Sequence, residues 1–114
     1  MFFTNKTNFL TVLQILVCYY TFMKNTENNS YILNIVKDCG LAIIFSNPNN
    51  LKQQNIMLAA IKNNADAYLF ADYSLQNDYY FALQAIKVNS EVLANIPDKI
   101  YNNKNWQIDA GLLL

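Results

Sequence analysis

A ten-residue stretch that occurs twice constrains the fold of this chain more than any other feature of its sequence. The copies span residues 55–64, NIMLAAIKNN, and residues 80–89, YFALQAIKVN, and they align residue for residue at a spacing of 25. Repeats of this size are typical of small supersecondary units that cannot bury their apolar faces alone and therefore stack on one another. We predict an all-α, solenoid-like fold of short stacked helix pairs, each about 25 residues long.

The 25-residue frame divides the chain into a leading segment and four units. We predict that residues 1–29 form an N-terminal apolar helix and a linker, and that residues 30–114 form the helical repeats. The units span residues 30–52, 53–77 and 78–102, with a partial unit at 103–114. Large apolar side chains recur at one position of every unit, which we interpret as core between neighbouring units. These residues are Tyr31, Ile56, Phe81 and Trp106.

Each unit carries the sequence signals of two helices. Asp78 is a good N-cap for an apolar helix, Ser90 can cap a shorter second helix, and Pro97 would stop it. In the first unit Gly40 suits the left-handed conformation that often follows a helix, and Asn64 can adopt the same turn in the second unit. Helices of about ten and seven residues are marginal alone, so packing between units must stabilise them.

The apolar run at residues 9–23 allows three interpretations. It can be a buried helix that covers the open first face of the stack, as terminal units of repeat proteins do. A signal peptide fits the preceding Lys6, although no small-x-small cleavage site follows. A membrane anchor is the third, although about fifteen residues at about 1.5 Å each do not cross roughly 30 Å of hydrocarbon. We favour the capping helix and a cytoplasmic protein, with secretion or membrane association as the alternatives.

Composition argues against several classes of function. Hydrophobic residues make up 54% of the chain and charged residues 14%, a balance that excludes intrinsic disorder. Eight acidic residues balance eight lysines and arginine is absent, so we expect no nucleic-acid binding. Histidine is also absent, and the two glycines form no phosphate-binding loop. The sequence therefore predicts no enzyme, no metal site and no cofactor.

The second and third units also resemble a known family. Residues 60–67 (AIKNNADA), 72–75 (DYSL) and 77–78 (ND) are similar to the short helical repeat catalogued as domain of unknown function 4116. Units of that family combine an Asp-capped apolar helix, an Ala-x-x-x-Asn-Gly turn, a small Ala-containing helix and a Ser-x-x-Leu-like exit. Here the turn glycine occurs only as Gly40, and Ala65 and Ser90 replace it in the other units. From Ser30 onward, the resemblance implies a stacked helical array, with no known activity and no catalytic residues.

Two sets of side chains are candidates for an interaction surface. A solenoid would align Lys37, Lys62 and Lys87 along one ridge, where they could bind an acidic partner or only complement the helix ends. Tyrosine tolerates both burial and exposure and is frequent at interfaces. The tyrosines that we select are Tyr68, Tyr73 and Tyr80.

A third candidate contact lies at the end of the partial fourth unit. Exposed Leu112, Leu113 and Leu114 would need a surface that covers them. The tail can fold back as a cap, two copies of the chain can associate through these leucines, or the chain can be part of a longer array. We therefore predict a non-catalytic module for protein interaction or scaffolding, whose partner is another protein. The alternative function is a membrane-associated or secreted factor that uses residues 9–23 as an anchor or signal.

Overall fold

The computed structural model describes residues 12–17, 19–20 and 32–112, which form helices joined by short turns. No strand occurs in this part of the chain, so the all-α prediction is confirmed. The α-helices of residues 32–112, numbered α1 to α6, are Ile32–Asp38, Gln54–Asn63, Tyr73–Gln76, Tyr79–Val88, Asp98–Tyr101 and Lys104–Asp109. The 3-10 helices η1 to η4 are Gly40–Phe45, Pro48–Lys52, Ala65–Phe70 and Ser90–Asn95.

Elements of the same kind recur at the spacing of the sequence repeat. Helices α2, α4 and α6 begin at Gln54, Tyr79 and Lys104, and α2 and α4 are both ten residues long. Along the chain α1 packs on α2, α2 on α4 and α4 on α6. In the same way η1 packs on η3, and η3 packs on η4. Each of these elements therefore contacts a later element of the same kind along the chain.

The stretch that begins with α2 contains three helical elements, where the sequence predicted a pair. The second element, η3, is a 3-10 helix of six residues, and the third, α3, is an α-helix of four residues. The same order recurs in α4, η4 and α5. Pro97 lies at the N-cap position of α5, where a missing N–H has no cost. Helix α5 escaped prediction because a proline can begin one helix as well as end another.

Two predicted caps have different outcomes. The Asp78 carboxylate accepts a hydrogen bond from the Phe81 N–H at 2.8 Å, so the predicted cap of α4 is confirmed. The cap of η4 is Asn89 and not Ser90, because the Asn89 side-chain oxygen accepts from the Glu91 N–H at 3.1 Å. The backbone of Asn89 is extended, with φ of −157° and ψ of 103°, as a residue outside the helix should be.

Gly40 permits a close approach between helices and does not form a left-handed turn. Among the described residues only Gly111 has a positive φ, of 80°, so the prediction of a left-handed Gly40 is wrong. The prediction for Asn64 is also wrong, since its φ is −148°. A Cβ atom on Gly40 would lie 2.3 Å from the Ala60 carbonyl oxygen. The Gly40 N–H donates to Asn63 Oδ1 at 2.7 Å, which ties η1 to the end of α2.

One core cluster runs from α1 to α6. Phe81 and Trp106 are buried and Ile56 is partly buried, so the core interpretation is confirmed for these three positions. Tyr31, at the equivalent position of the first unit, lies outside the described residues. The largest fully buried side chains are Trp106, Tyr68, Phe81, Ile43, Met57, Ile61, Val36 and Val92.

The N-terminal apolar segment, residues 9–23, is described in part. Residues 12–17 and 19–20 are helical, and the rings of Tyr19 and Phe45 meet edge to face with centroids 4.9 Å apart. Ile15 packs against a second, smaller cluster of buried side chains. That cluster comprises Ile35, Cys39, Leu41 and Ala42. None of the helices in the described part of the chain has the length and apolar character of a membrane-spanning segment.

Candidate functional site

The structure brings two of the three predicted lysines to one groove. Lys37 lies in the last turn of α1 and Lys62 in the last turn of α2, and both are exposed. Together with Ala59 and Asn63 they line a groove of about 520 Å³, which we call the basic groove. Lys87 is exposed in the last turn of α4. Of the predicted lysine row, this groove therefore contains Lys37 and Lys62.

Asn63 holds the two helix ends of the basic groove together. Its Nδ2 donates to the main-chain carbonyls of Lys37 and Asp38, both at 3.2 Å, while its Oδ1 accepts from the Gly40 N–H. One amide thus satisfies two of the carbonyls that a helix C-terminus leaves without intrahelical partners. Each lysine lies in the last turn of its helix, where the helix dipole favours a cation. The groove combines positive charge with a fixed main-chain framework.

Tyr68 is a core residue, and its prediction as a surface residue is wrong. Its side chain is fully buried, and its ring stacks on Phe81 with centroids 5.9 Å apart. The hydroxyl donates to the Gln76 carbonyl oxygen at 2.7 Å, which satisfies its polar end inside the fold. Burial, with a smaller contribution from the charge of Asp78, raises the pKa of Tyr68 to about 12. Tyr68 therefore joins η3 to α3 and cannot bind a partner.

Tyr73 is the most exposed of the large hydrophobic side chains described, at 79%. Leu69 and Phe70, which end η3 just before it, are 50% and 41% exposed. We call these three residues the 69–73 surface. Asp72 lies among them and caps α3, accepting hydrogen bonds from the N–H of Ser74 at 3.1 Å and from its hydroxyl at 2.6 Å. These bonds lower the pKa of Asp72 and fix the backbone that carries the surface.

Tyr80 is also strongly exposed, at 73%. Its ring meets that of Tyr79 edge to face, with centroids 5.2 Å apart. The Tyr79 hydroxyl donates to Asp109 Oδ2 at 2.7 Å and connects α4 to α6. This hydrogen bond is the largest cause that raises the pKa of Tyr79 to about 12. Tyr80 is therefore a surface residue of α4, the helix that the Tyr79–Asp109 hydrogen bond connects to α6.

A second groove, which the sequence did not predict, lies along η4 and α5. Its volume is about 540 Å³, and it combines two exposed carboxylates with apolar side chains and a tyrosine ring. The lining residues are Glu91, Leu93, Ala94, Ile96, Asp98 and Tyr101. We call it the acidic groove. Among the described residues, no group of three or more acidic or cysteine side chains is placed to hold a metal ion.

Comparison with known protein families identifies part of the chain. Residues 54–101 match the family model of a domain of unknown function, DUF4116. The resemblance to this family is thus supported over the stretch from α2 to α5, a shorter range than the one from Ser30 onward. The family description names no activity. No curated protein and no solved structure matches the chain.

The DUF4116 segment contains most of the exposed candidates. The 69–73 surface, Tyr80, Lys62, Lys87 and the acidic groove lie within it, whereas Lys37 precedes it. Leu112 follows it and is 45% exposed, while Leu113 and Leu114 lie outside the described residues. Local sequence patterns missed Leu69 and Phe70 because a 3-10 helix has three residues per turn, so its inward positions differ from those of an α-helix.

Asparagines are the structural residues that sequence reasoning undervalued. Asn64 and Asn89 occupy equivalent positions in successive repeats, and each caps the 3-10 helix that follows it. Asn89 also reaches back to α2, where its Nδ2 donates to the Ile61 carbonyl at 2.9 Å. Asn95 reaches back to η3, where its Nδ2 donates to the Ala65 carbonyl at 3.1 Å. The recurrence of asparagine at the repeat spacing was the available signal for these contacts.

Proposed function

We propose that the chain is a non-catalytic helical-repeat module that binds another protein. Equivalent elements follow one another at the repeat spacing, each in contact with the next, and this order supports a solenoid-like stack. Stacks of this kind offer extended surfaces built from successive units. The N-terminal helix would cover the first unit, an arrangement supported by the packing of Ile15 on its buried cluster and of Tyr19 on Phe45.

The observation that carries the proposal is the 69–73 surface. Exposed large apolar side chains favour protein contacts, because covering them removes apolar area from water. The three side chains of this surface lie within five positions of the chain. Tyrosine and phenylalanine are enriched in interface cores, since they offer a large contact area with few rotatable bonds. The backbone beneath is held by the Asp72 cap and by the Gln76 side chain, whose Nε2 donates to the Leu69 carbonyl at 3.1 Å. A partner would therefore meet a preformed surface.

A capture experiment with matched variants tests the proposal. The whole chain is immobilised at near-physiological salt, and captured proteins are quantified for the wild type and two variants. Phe70→Ser with Tyr73→Ser removes the aromatic part of the 69–73 surface, whereas Val88→Ser with Ile108→Ser removes exposed apolar side chains elsewhere. We expect one set of proteins to bind the wild type and the control variant and to be lost from the surface variant. Equal capture by all three chains, or none above a blank, would refute the proposal.

A second candidate function, membrane association, is favoured by exposed apolar side chains near the N-terminus. Leu13, Leu16 and Val17 are 46%, 58% and 51% exposed, and they share one face of a helix at spacings of three and four residues. A helix of this kind can lie in a membrane interface without crossing the bilayer. Co-flotation of the chain with neutral and anionic vesicles tests the idea. Binding lost with Leu13→Ser and Leu16→Ser would support it, and a chain that stays with the aqueous fraction would contradict it.

A further inference from the structure

Charge is distributed unevenly along the described units, although the chain as a whole is neutral. Residues 32–63 contain three lysines and one acidic residue, an excess of two positive charges. Residues 64–103 contain five acidic residues and two lysines, an excess of three negative charges. The basic groove lies in the first range, which carries the positive excess. The acidic groove lies in the second range, which carries the negative excess.

The acidic groove has the chemistry that accommodates lysine side chains. Glu91 and Asp98 supply exposed carboxylates, and the main-chain N–H of Glu91 and the main-chain carbonyl of Asp98 form hydrogen bonds within the fold. Leu93 and Ala94 supply apolar surface, on which the methylene stem of a lysine can lie while its ammonium group stays at the carboxylates. The ring of Tyr101, 40% exposed, adds a face that attracts cations.

The basic groove presents the complementary charges. Lys37 and Lys62 belong to neighbouring helices whose ends are joined by Asn63, so their attachment points are fixed relative to one another. Both side chains are exposed, and it is the main-chain carbonyl of Lys37 that accepts from Asn63. Two long cationic side chains thus extend from a firm base, which reduces the entropy lost when they bind.

We propose that copies of this chain associate head to tail, with Lys37 and Lys62 of one copy in the acidic groove of a second copy. A second copy of the chain suits each groove because the two grooves carry charges of opposite sign. The contact joins two different surfaces and is therefore heterologous, so every copy keeps one groove for a further neighbour. This self-association goes beyond the proposed function, since it does not involve the 69–73 surface.

Salt is the first diagnostic of such a contact. Exposed charges interact over about 30 Å at 0.01 M ionic strength and over about 3 Å at 1 M. An association that depends on lysine–carboxylate pairs must weaken as salt is added, whereas an apolar contact must not. We expect the association constant to fall at least tenfold between 0.01 M and 0.5 M salt.

Charge reversal of each groove is the decisive experiment, with molar mass measured by sedimentation over a range of protein concentrations. Variant A carries Lys37→Glu and Lys62→Glu, and variant B carries Glu91→Lys and Asp98→Lys. The control, Lys52→Glu with Lys104→Glu, changes net charge as variant A does but lies outside the residues that line either groove. Circular dichroism establishes that every variant is folded.

At low salt we expect the wild type and the control to exceed the 13.1 kDa of a single chain, and variants A and B to stay at it when measured alone. In variant A both grooves are acidic, and in variant B both are basic, so copies of the same variant repel one another. An equimolar mixture of A and B pairs each groove with one of opposite charge. The mixture should therefore associate again.

Three results would overturn the proposal. The first is a wild type that remains a single chain at low salt. The second is association that survives 0.5 M salt or both charge reversals, which would point to an apolar contact such as one through Leu112. The third is a mixture of A and B that stays monomeric although the control associates.

Discussion

Replacing Gly40 with alanine should destabilise the protein by forcing apart two packed helical elements. The added Cβ would lie 2.3 Å from the Ala60 carbonyl oxygen and 3.2 Å from Asn63 Oδ1. The first of these is a main-chain atom inside α2 and cannot move without shifting the helix. Overpacking of this kind costs about 1–3 kcal/mol. Weakening the 2.7 Å bond between the Gly40 N–H and Asn63 adds about 1 kcal/mol. The free energy of unfolding should fall by about 2–4 kcal/mol in total.

Urea denaturation followed by circular dichroism measures this loss, with two controls. Ala65→Gly changes the equivalent position of the next unit, where a Cβ is already accommodated, and should cost only about 0.5–1 kcal/mol. The Gly40→Ala change is also made in an Asn63→Ala background, which lacks the hydrogen bond but keeps the Ala60 carbonyl. There it should still cost at least about 1 kcal/mol. A Gly40→Ala protein within about 0.5 kcal/mol of the wild type would refute the close-packing argument.

Three further predictions concern caps, tyrosines and the single tryptophan. Asn89→Ala should lower the free energy of unfolding by about 1–2 kcal/mol, because it removes the cap of η4 and the hydrogen bond to Ile61. In the same urea titration, the control Asn55→Ala, at an exposed asparagine, should change it by less than about 0.5 kcal/mol. Absorbance at alkaline pH should show Tyr68 and Tyr79 ionising near pH 12, with one such transition lost in each Phe variant. Since their ordinary pKa is 10.0, the stability that they contribute should be complete below pH 10 and fall as pH rises towards 12, because the folded state keeps protons that the unfolded state has released. Trp106 is buried, and its Nε1 has no hydrogen-bond partner among the described residues. Trp106→Phe should therefore cost far less stability than Trp106→Ala, for which about 3–5 kcal/mol is expected. Equal losses of the two variants in thermal unfolding would contradict this.

Local patterns predicted the features that depend on near neighbours in the chain. The apolar spacing around α4 indicated a helix with Phe81 inside, and the structure buries Phe81 to 1% exposure. The Asp78 cap depends on an atom three residues away, and it was predicted correctly. Where two residues could perform the same local role, as at Asn89 and Ser90, the sequence alone could not choose. That choice depends on which backbone is extended at the junction of two helices.

The sequence by itself determined the helical class, the apolar interior and the spacing of the repeat, because each follows from periodicity along the chain. Tertiary structure alone decided that Tyr68 is buried while Tyr73 is exposed, although the two differ little in local composition. It also decided the role of Gly40, whose contact with Asn63 joins residues 23 positions apart. Contacts of this kind depend on how helix ends meet in space. No pattern of near neighbours specifies that geometry, since it arises only when the packed units exclude water together.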